Sequence, residues 1–257
     1  MAQHMVITGA SSGIGEAIAR QAATQGKGLS ITGMEAEDQV TSLLDDLRET
    51  GADFVHYRQV DLADGNAARQ LIEALNMHQP IDILVNNAGI QHVDSVEDFP
   101  PEAWDKVIAV NLSAAFHTIA AAMPVMKAKN YGRIINIASV HGLVASVNKA
   151  AYVAAKHGII GLTKTVALET ATLDITCNAI CPGWVRTPLV EAQVIARAKE
   201  AGRDIEEEAR LLVSEKQPSG AFVSPVQIAQ MALYLASDAA SMITGSAFTM
   251  DGGWTAQ

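Results

Sequence analysis

The chain has 257 residues, of which 49% are hydrophobic and 18% are charged, and its formal net charge is -10. This length suits one α/β domain with a well-buried core, so we expect a single dinucleotide-binding and catalytic domain over residues 1–257. The acidic balance argues against a surface for nucleic acid or for an anionic membrane, but it leaves room for a local cationic pocket.

Short apolar runs alternate along the chain with longer segments of helical period. The apolar runs predict seven strands, at 4–10, 28–33, 54–61, 81–89, 132–139, 175–183 and 246–253. The segments between them predict helices at 14–25, 39–50, 66–76, 104–128, 151–172 and 225–236. This alternation predicts a doubly wound (Rossmann) α/β fold, with a seven-stranded parallel sheet covered by helices on both faces.

The segment 187–224 interrupts this alternation between the sixth and seventh strands. It carries two helical patterns, a Gly-Arg-Asp break and many charges. Such a segment can simply be a solvated helical hairpin. Ligands of open α/β sheets lie beyond the carboxyl ends of the strands, where long insertions cover them, so we expect a substrate lid.

Cysteine usage and hydropathy bear on where the protein works. Cys177 and Cys181 lie in an apolar segment and lack the spacing of a metal or redox motif, which predicts a buried, reduced pair and no metal site. No segment is expected to span a membrane, and the first ten residues lack the pattern of a signal peptide. We therefore expect a cytoplasmic protein.

The first predicted strand runs into a glycine-rich loop, "TGASSGIG", with glycines at 9, 13 and 15. Glycines permit a tight turn and let backbone N–H groups approach a pyrophosphate, and the following helix start favours an anion. Such a loop is unspecific alone. Because it follows a strand and opens a helix, it predicts a dinucleotide site more strongly than a simple turn.

Tyr152 and Lys156 are four residues apart, so on a helix they share one face. A tyrosine has a pKa of about 10, and a fixed ammonium nearby favours the phenolate that a general base needs. The pair alone could be an ordinary helix surface. Ser139, at the end of a predicted strand, favours a catalytic group instead.

Several motifs occur together in one order over essentially the whole chain, and in this the sequence resembles the short-chain dehydrogenase/reductase family. The motifs are T-G-x-x-x-G-x-G at 8–15, "NNAG" at 86–89, Asn111 in "VNLS", Ser139, Tyr152-x-x-x-Lys156 and "PG" at 182–183. The resemblance implies a nicotinamide cofactor and hydride transfer between that cofactor and a secondary alcohol or ketone.

The same resemblance implies roles for four residues. Tyr152 would transfer the proton, and Lys156 would lower the pKa of Tyr152 and contact the nicotinamide ribose. Ser139 would position the substrate oxygen, and Asn111 would take part in a water-mediated proton relay.

The cofactor is expected to be NAD, because the second strand ends in "TGMEAED" without a cation for a 2′-phosphate. The acidic residue that ends this strand in NAD-specific members is replaced by Thr32-Gly33-Met34, with Glu35 just beyond. Asp61 could also simply cap the turn that follows it. The resemblance implies cofactor contacts from Gly9, Ser12, Gly13, Ile14, Gly15, Met34, Asp61, Leu62, Asn87, Ala88, Gly89, Tyr152, Lys156, Pro182, Gly183, Val185 and Thr187.

Two further basic residues surround Tyr152. Lys149 precedes it by about one helical turn, and His141 follows the strand end at Ser139. A site that needs one lysine beside its tyrosine has no chemical use for a second unless the substrate is an anion. A carboxylate held by a charge-assisted hydrogen bond is the simplest interpretation.

Within the family, five segments resemble members that oxidise (R)-3-hydroxybutyrate to acetoacetate: 86–92, 141–158, 181–193, 214–219 and 251–257. The resemblance implies carboxylate contacts from Gln91, His141, Lys149 and Gln193, and places Trp184 and Trp254 near the substrate. Taken singly, each glutamine could be a solvated polar residue and each tryptophan a packing residue. The family also implies a homotetramer formed through helices 104–128 and 151–172.

Two alternatives remain open from the sequence. One is a family member that reduces a sugar, a polyol or a 3-oxoacyl thioester, which leaves Lys149 and His141 unexplained. The other is a dinucleotide-sensing regulatory protein without chemistry, which would have no reason to combine Tyr152, Lys156 and Ser139.

Overall fold

The computed structural model describes residues 2–256 and contains one parallel sheet of seven strands in the order β3-β2-β1-β4-β5-β6-β7. The strands are β1 His4–Ile7, β2 Gly28–Gly33, β3 Val55–Gln59, β4 Ile83–Asn86, β5 Gly132–Ile137, β6 Ile175–Pro182 and β7 Ala247–Met250. The seven predicted strands and the Rossmann-like α/β fold are confirmed. Most strands end earlier than predicted, so several of the family motifs lie in the loops that follow the strands.

Helices cover both faces of the sheet. They are α1 Gly13–Ala23, α2 Thr41–Thr50, α3 Gly65–His78, α4 Pro101–Ile108, α5 Ala114–Lys129, α6 Ala150–Glu169, α7 Pro188–Ala201, α8 Ile205–Ser214 and α9 Pro225–Leu235. Met5 and Ile7 of β1 pack with α1, α2 and α9, whereas Val6 packs with α3, α5 and α6. This alternation buries the sheet on both faces.

The helical stretch predicted at 104–128 is confirmed, but it is longer than predicted and is not α-helical throughout. The helical stretch begins at Pro101, and a π-helical turn at Ala109–Ser113 separates α4 from α5. By length and composition the stretch Pro101–Lys129 would also span a bilayer, which we did not expect of any segment. Core helices of soluble proteins meet the same criterion, and here α5 packs against α3 and α4 packs against α6.

The strand order reverses between the neighbouring strands β1 and β4. From β1 the chain continues to β2 toward one edge of the sheet, and from β4 it continues to β5 toward the other edge. Crossovers that diverge in this way leave a crevice at the carboxyl ends of the strands, where open α/β sheets bind their ligands. The predicted cysteine pair is confirmed as free and buried, with both thiols on β6.

The two helical patterns predicted in 187–224 are present as α7 and α8. Gly202 ends α7 with φ of 64°, and Asp204 starts α8 by accepting hydrogen bonds from the N–H groups of Glu206 and Glu207 at 2.9 and 3.2 Å. The helices pack together through an apolar cluster of Val190, Val194, Ala209 and Leu212. That the segment acts as a lid stays a prediction.

Candidate active site

A cleft of about 390 Å³ opens at the carboxyl ends of the strands. It runs from the glycine-rich loop and the end of β2, past the loop after β4, to Ser139, Tyr152 and Lys156. The first residues of α7 line it as well. Its volume lies within the range of small-molecule and cofactor sites.

The glycine-rich loop leaves room for an anion against its backbone. Gly9 and Gly13 have φ of 61° and 62°, and a methyl group on Gly9 would lie 2.9 Å from the Cα of Ala88. Ser12 precedes α1 without a hydrogen bond from its side chain to the helix. The first N–H groups of α1 therefore remain available to a pyrophosphate, and the loop fits a dinucleotide.

Every residue predicted to contact the cofactor lines this cleft except Gly15. Gly15 lies behind the loop, where a methyl group would be 2.5 Å from Asn87 Nδ2 and from Gly9 O. Asn87 Nδ2 donates to Gly9 O at 2.7 Å, so Gly15 lets Asn87 hold the loop. Asp61 lines the cleft and also caps its turn, since Oδ1 accepts from the Ala63 N–H at 2.9 Å.

Glu35 lies at the adenosine end of the cleft, beside Ser11, Gly33 and Met34. Hydrogen bonds from its own backbone N–H and from the Ser11 hydroxyl hold the pKa of the Glu35 carboxyl below its usual value. A methyl group on Gly33 would lie 2.5 Å from Glu35 Oε2. The carboxylate is thus folded back over the end of β2, a position that the sequence did not reveal.

The structure brings Tyr152, Lys156 and Ser139 together. Tyr152 and Lys156 lie one turn apart on α6, and Lys156 Nζ is 5.5 Å from the centroid of the Tyr152 ring. Lys156 is 4% exposed, and its ammonium donates to Ile137 O at 2.8 Å. Ser139 follows β5, and its hydroxyl accepts a hydrogen bond from the His141 N–H at 3.2 Å.

Burial sets the ionisation of this pair. It raises the pKa of Tyr152 to about 12, although a hydrogen bond with the Ser139 side chain acts in the opposite direction. Burial also lowers the pKa of Lys156 to about 8. At neutral pH the tyrosine is therefore a phenol, and the lowering of its pKa by Lys156 and a bound nicotinamide stays a prediction.

Asn111 lies in the π-helical turn and is 3% exposed. Its amide nitrogen donates to Ile90 O and Val107 O, both at 2.9 Å, whereas Oδ1 has no hydrogen-bond partner among residues 2–256. A methyl group on Gly89 would lie 2.8 Å from that Oδ1. Asn111 therefore lies beneath Gly89 rather than in the main cleft and has an unpaired buried acceptor, in a π-turn of the kind that often occurs at functional sites.

Four of the predicted substrate residues form one aromatic and cationic cluster beside Tyr152. The His141 ring lies 5.8 Å from the Tyr152 ring and 5.4 Å from the Trp254 ring, between centroids. The Trp254 and Trp184 rings are 6.1 Å apart, and Lys149 Nζ lies 4.9 Å from the centroid of the Trp184 ring.

The other two predicted substrate residues, Gln91 and Gln193, contact each other. Gln193 on α7 places Nε2 3.4 Å from Gln91 Oε1 in the loop after β4. The buried Nε2 of Gln91 has no acceptor within the described residues. It is therefore a hydrogen-bond donor that a ligand can satisfy.

The cluster holds one cation at neutral pH, not two. Burial, with a further contribution from Lys149, lowers the pKa of His141 to about 4. The His141 ring nitrogens lie 2.9 Å from Ser146 Oγ and 3.4 Å from Ser139 Oγ. Burial lowers the pKa of Lys149 to about 8, which leaves its ammonium charged at pH 7. An anion here would therefore pair with Lys149.

Three polar residues of this region were not singled out from the sequence. Ser146 contacts His141, Ser11 contacts Glu35, and Gln217 binds the backbone of Trp184. The segment "SEKQPS", which contains Gln217, gave a signal through its resemblance to family members. Nothing in the local pattern distinguishes the two serines from ordinary loop residues.

Comparisons with known proteins identify the family. A family model described as "short chain dehydrogenase" matches residues 3–198. The chain is 50% identical to D-beta-hydroxybutyrate dehydrogenase of Cupriavidus necator over 254 residues, which cover 98% of this chain and 97% of that protein. It is 49% identical to the D-beta-hydroxybutyrate dehydrogenase of Rhizobium meliloti over 258 residues, with full coverage of both chains.

Solved structures agree with the fold. An actinorhodin polyketide ketoreductase variant crystallised with NADPH superimposes with a TM-score of 0.91 at 32% identity, covering 98% of this chain and 97% of that one. Both the sequence identity and the structural match extend over nearly the whole chain. The chain belongs to the short-chain dehydrogenase/reductase family and is an oxidoreductase that uses a nicotinamide cofactor.

Proposed function

We propose that the protein catalyses the reversible, NAD-dependent oxidation of (R)-3-hydroxybutyrate to acetoacetate. The observation that carries the proposal is Lys149, a partly buried ammonium that contacts the Trp184 ring and forms no ion pair with a carboxylate of residues 2–256. A buried cation without a partner is costly, and an anionic substrate would satisfy it. The names of the two relatives at about half identity support this substrate.

In this proposal the substrate carboxylate binds Lys149, with Gln91 and Gln193 as further hydrogen-bond donors. The free Nε2 of Gln91 supports that role. His141 contributes as a neutral imidazole, because its pKa is lowered to about 4. Trp184 and Trp254 border the substrate on the apolar side of the cluster.

Tyr152 is the proposed proton acceptor for the substrate hydroxyl, and Ser139 holds the same oxygen. The buried phenol suits the reverse reaction, in which it donates a proton to the ketone oxygen of acetoacetate. Bound NAD⁺ supplies the hydride acceptor and a positive ring that favours the phenolate. Lys156 adds a fixed positive charge, and the unpaired Oδ1 of Asn111 supports the proposal that this residue accepts a hydrogen bond in a proton relay.

The experiment that tests this function is a comparison of initial rates. We expect NADH formation from (R)-3-hydroxybutyrate with NAD⁺, and little turnover of the S enantiomer or with NADP⁺. The rate is measured for both enantiomers with each cofactor. Protein that binds NADH but turns over neither enantiomer would contradict the proposal and favour a sugar, polyol, 3-oxoacyl or purely sensory function.

The preference for NAD rests on Glu35. Its carboxylate lies where open α/β proteins bind the adenosine ribose, and the cleft residues beside it, Ser11, Gly33 and Met34, carry no positive charge. A 2′-phosphate there would meet a negative charge. In this proposal Glu35 takes the place of the acidic residue that ends β2 in NAD-specific members of the family.

Replacing Glu35 by glutamine is therefore expected to raise kcat/KM with NADP⁺ by about tenfold, because it removes one repulsive charge from the site of the 2′-phosphate. Activity with NAD⁺ should change far less. Steady-state rates with both cofactors give the ratio of kcat/KM with NADP⁺ to kcat/KM with NAD⁺. Asp38→Asn, which removes an exposed carboxylate from the neighbouring turn, is the control. An unchanged cofactor ratio in Glu35→Gln would exclude Glu35 from cofactor selection.

We further propose that 187–224 closes over the bound substrate, that the protein is cytoplasmic, and that it assembles as a homotetramer. The lid is supported by its position, since Thr187, Pro188, Leu189 and Val190 line the cleft. Closure over the substrate would exclude water from the reacting atoms. The homotetramer follows the family resemblance, through α5 and α6.

A further inference from the structure

Gln217 is fully buried although the residues around it are exposed. Its side chain is 0% exposed, whereas Ser214, Glu215, Lys216 and Pro218 are all exposed. An amide placed away from water costs free energy unless both of its polar atoms form hydrogen bonds. The partners of Gln217 therefore show what this burial achieves.

Both polar atoms of the Gln217 amide bind backbone groups of separate segments. Oε1 accepts a hydrogen bond from the Trp184 N–H, and Nε2 donates to Ala221 O at 2.7 Å. A methyl group on Gly183 would overlap Oε1, and one on Gly252 would lie 3.2 Å from Nε2. The amide thus fills a space between the β6–α7 loop, the α8–α9 loop and the turn after β7.

The α8–α9 loop forms hydrogen bonds with both the N–H and the carbonyl oxygen of Trp184. In addition to the bond from its N–H to Gln217, Trp184 accepts a hydrogen bond at its carbonyl from the Val223 N–H at 2.9 Å. The same loop binds the C-terminal turn, since the Ser219 N–H donates to Gly252 O at 3.0 Å. The position of the Trp184 backbone therefore depends on 217–223.

The Trp184 side chain lies between the groups proposed to bind the substrate. Lys149 Nζ lies 4.9 Å from its ring centroid, and the Trp254 ring lies 6.1 Å away at an angle of 31°. Trp254 in turn contacts His141 at 5.4 Å between ring centroids. A displaced Trp184 backbone would move a ring that touches both Lys149 and Trp254.

We propose that Gln217 is a positioning residue for the substrate site: it fixes Trp184, and through Trp184 it aligns Lys149 and Trp254 for the substrate. This inference rests on the proposed function, because it concerns the same site. It assigns to the "SEKQPS" segment a role in substrate affinity rather than in the chemical step.

The first test is Gln217→Met, which keeps the length of the side chain and removes both hydrogen bonds. We expect KM for (R)-3-hydroxybutyrate to rise by about tenfold, because the Trp184 N–H loses its acceptor. The kcat should change by less than about twofold, since Tyr152 is untouched, and the KM for NAD⁺ should rise less than the KM for hydroxybutyrate, because only Gly183 and Val185 of the cofactor cleft adjoin Trp184. Near-UV circular dichroism should lose part of the signal of the Trp184–Trp254 pair.

The second test is Gln217→Glu, which separates positioning from a loss of fold. A protonated glutamic acid offers an acceptor and a donor in the same places as the amide, whereas the ionised form has no donor for Ala221 O. Burial raises the pKa of such a carboxyl, so protonation becomes accessible near neutral pH. We expect the ratio of the KM of this variant to the wild-type KM at the same pH to fall toward one as the pH is lowered from about 8 to about 6. Gln217→Met should show no such recovery.

Gln227→Met is the matched control, because the Gln227 amide accepts a hydrogen bond from the Ser224 N–H at 2.9 Å at the start of α9, away from the tryptophans. It should lower stability without changing KM or the aromatic signal. The inference is overturned if Gln217→Met keeps the wild-type KM and spectrum, or if the Gln217→Glu variant shows no recovery at low pH. Should wild-type protein not oxidise hydroxybutyrate, the proposed function fails, and the difference spectrum of Gln217→Met still decides whether Gln217 positions Trp184.

Discussion

Replacing Tyr152 by phenylalanine is expected to lower kcat for (R)-3-hydroxybutyrate by about a thousandfold, because a positioned acid–base group contributes roughly 10² to 10⁴ in rate. The substitution removes the hydroxyl and keeps the ring, so contacts of the ring with His141 and Lys156 persist. NADH should bind as in wild type. Single-turnover rates and the fluorescence of bound NADH measure the two effects separately.

Tyr234→Phe is the matched control for this prediction. Tyr234 lies on α9 with 46% of its side chain exposed, and the same loss of a hydroxyl there should leave kcat and KM unchanged. A folded Tyr152→Phe protein that retains near-normal turnover would exclude Tyr152 as the group that transfers the proton.

Replacing Lys149 by alanine is expected to lower kcat/KM for (R)-3-hydroxybutyrate by about a hundredfold, because it leaves the substrate carboxylate without its cation in a partly buried site. Oxidation of an uncharged secondary alcohol should change little. Lys164→Ala removes an exposed lysine from α6, the helix that begins directly after Lys149, and should affect neither substrate. Equal losses with both substrates in Lys149→Ala would contradict a role in binding the carboxylate.

The same residue predicts a dependence on pH. Burial lowers the pKa of Lys149 to about 8, so the ammonium is present below that pH and is lost as the pH rises through it. The ratio of kcat/KM for hydroxybutyrate to that for the uncharged alcohol should therefore fall above about pH 8. Lys149→Arg should abolish this fall, because a guanidinium stays charged. A ratio that is constant from pH 7 to about pH 10 in wild type would argue against the ammonium.

The fold could be predicted because its determinants are local and periodic. Alternating apolar runs and helical segments specify a doubly wound sheet, and the structure contains all seven predicted strands. The turn at Ala109–Ser113 could not be predicted in this way. The segment is rich in alanine and apolar on several sides, so its pattern does not distinguish a π-turn from the regular helix around it.

Parts of the candidate site could be predicted where the spacing of residues along one helix or strand determines which side chains lie together. Tyr152 and Lys156 share a helix face by sequence alone, and Ser139 follows a strand. The charge of His141 was not predictable, because its pKa depends on burial against Trp254 and on the contribution of Lys149. The same holds for Gln217, because Trp184, whose N–H donates a hydrogen bond to it, lies on a distant segment of the chain.

The π-helical turn also determines how the two helices that flank it are oriented. A residue added to an α-helix turns one end relative to the other by about 100°, since 3.6 residues complete a turn. The extra residue in Ala109–Ser113 therefore sets the rotational phase between α4, which faces α6, and α5, which faces α3. The turn that leaves the buried Oδ1 of Asn111 unpaired beneath Gly89 thus also lets one continuous helical stretch pack against two neighbours on different sides.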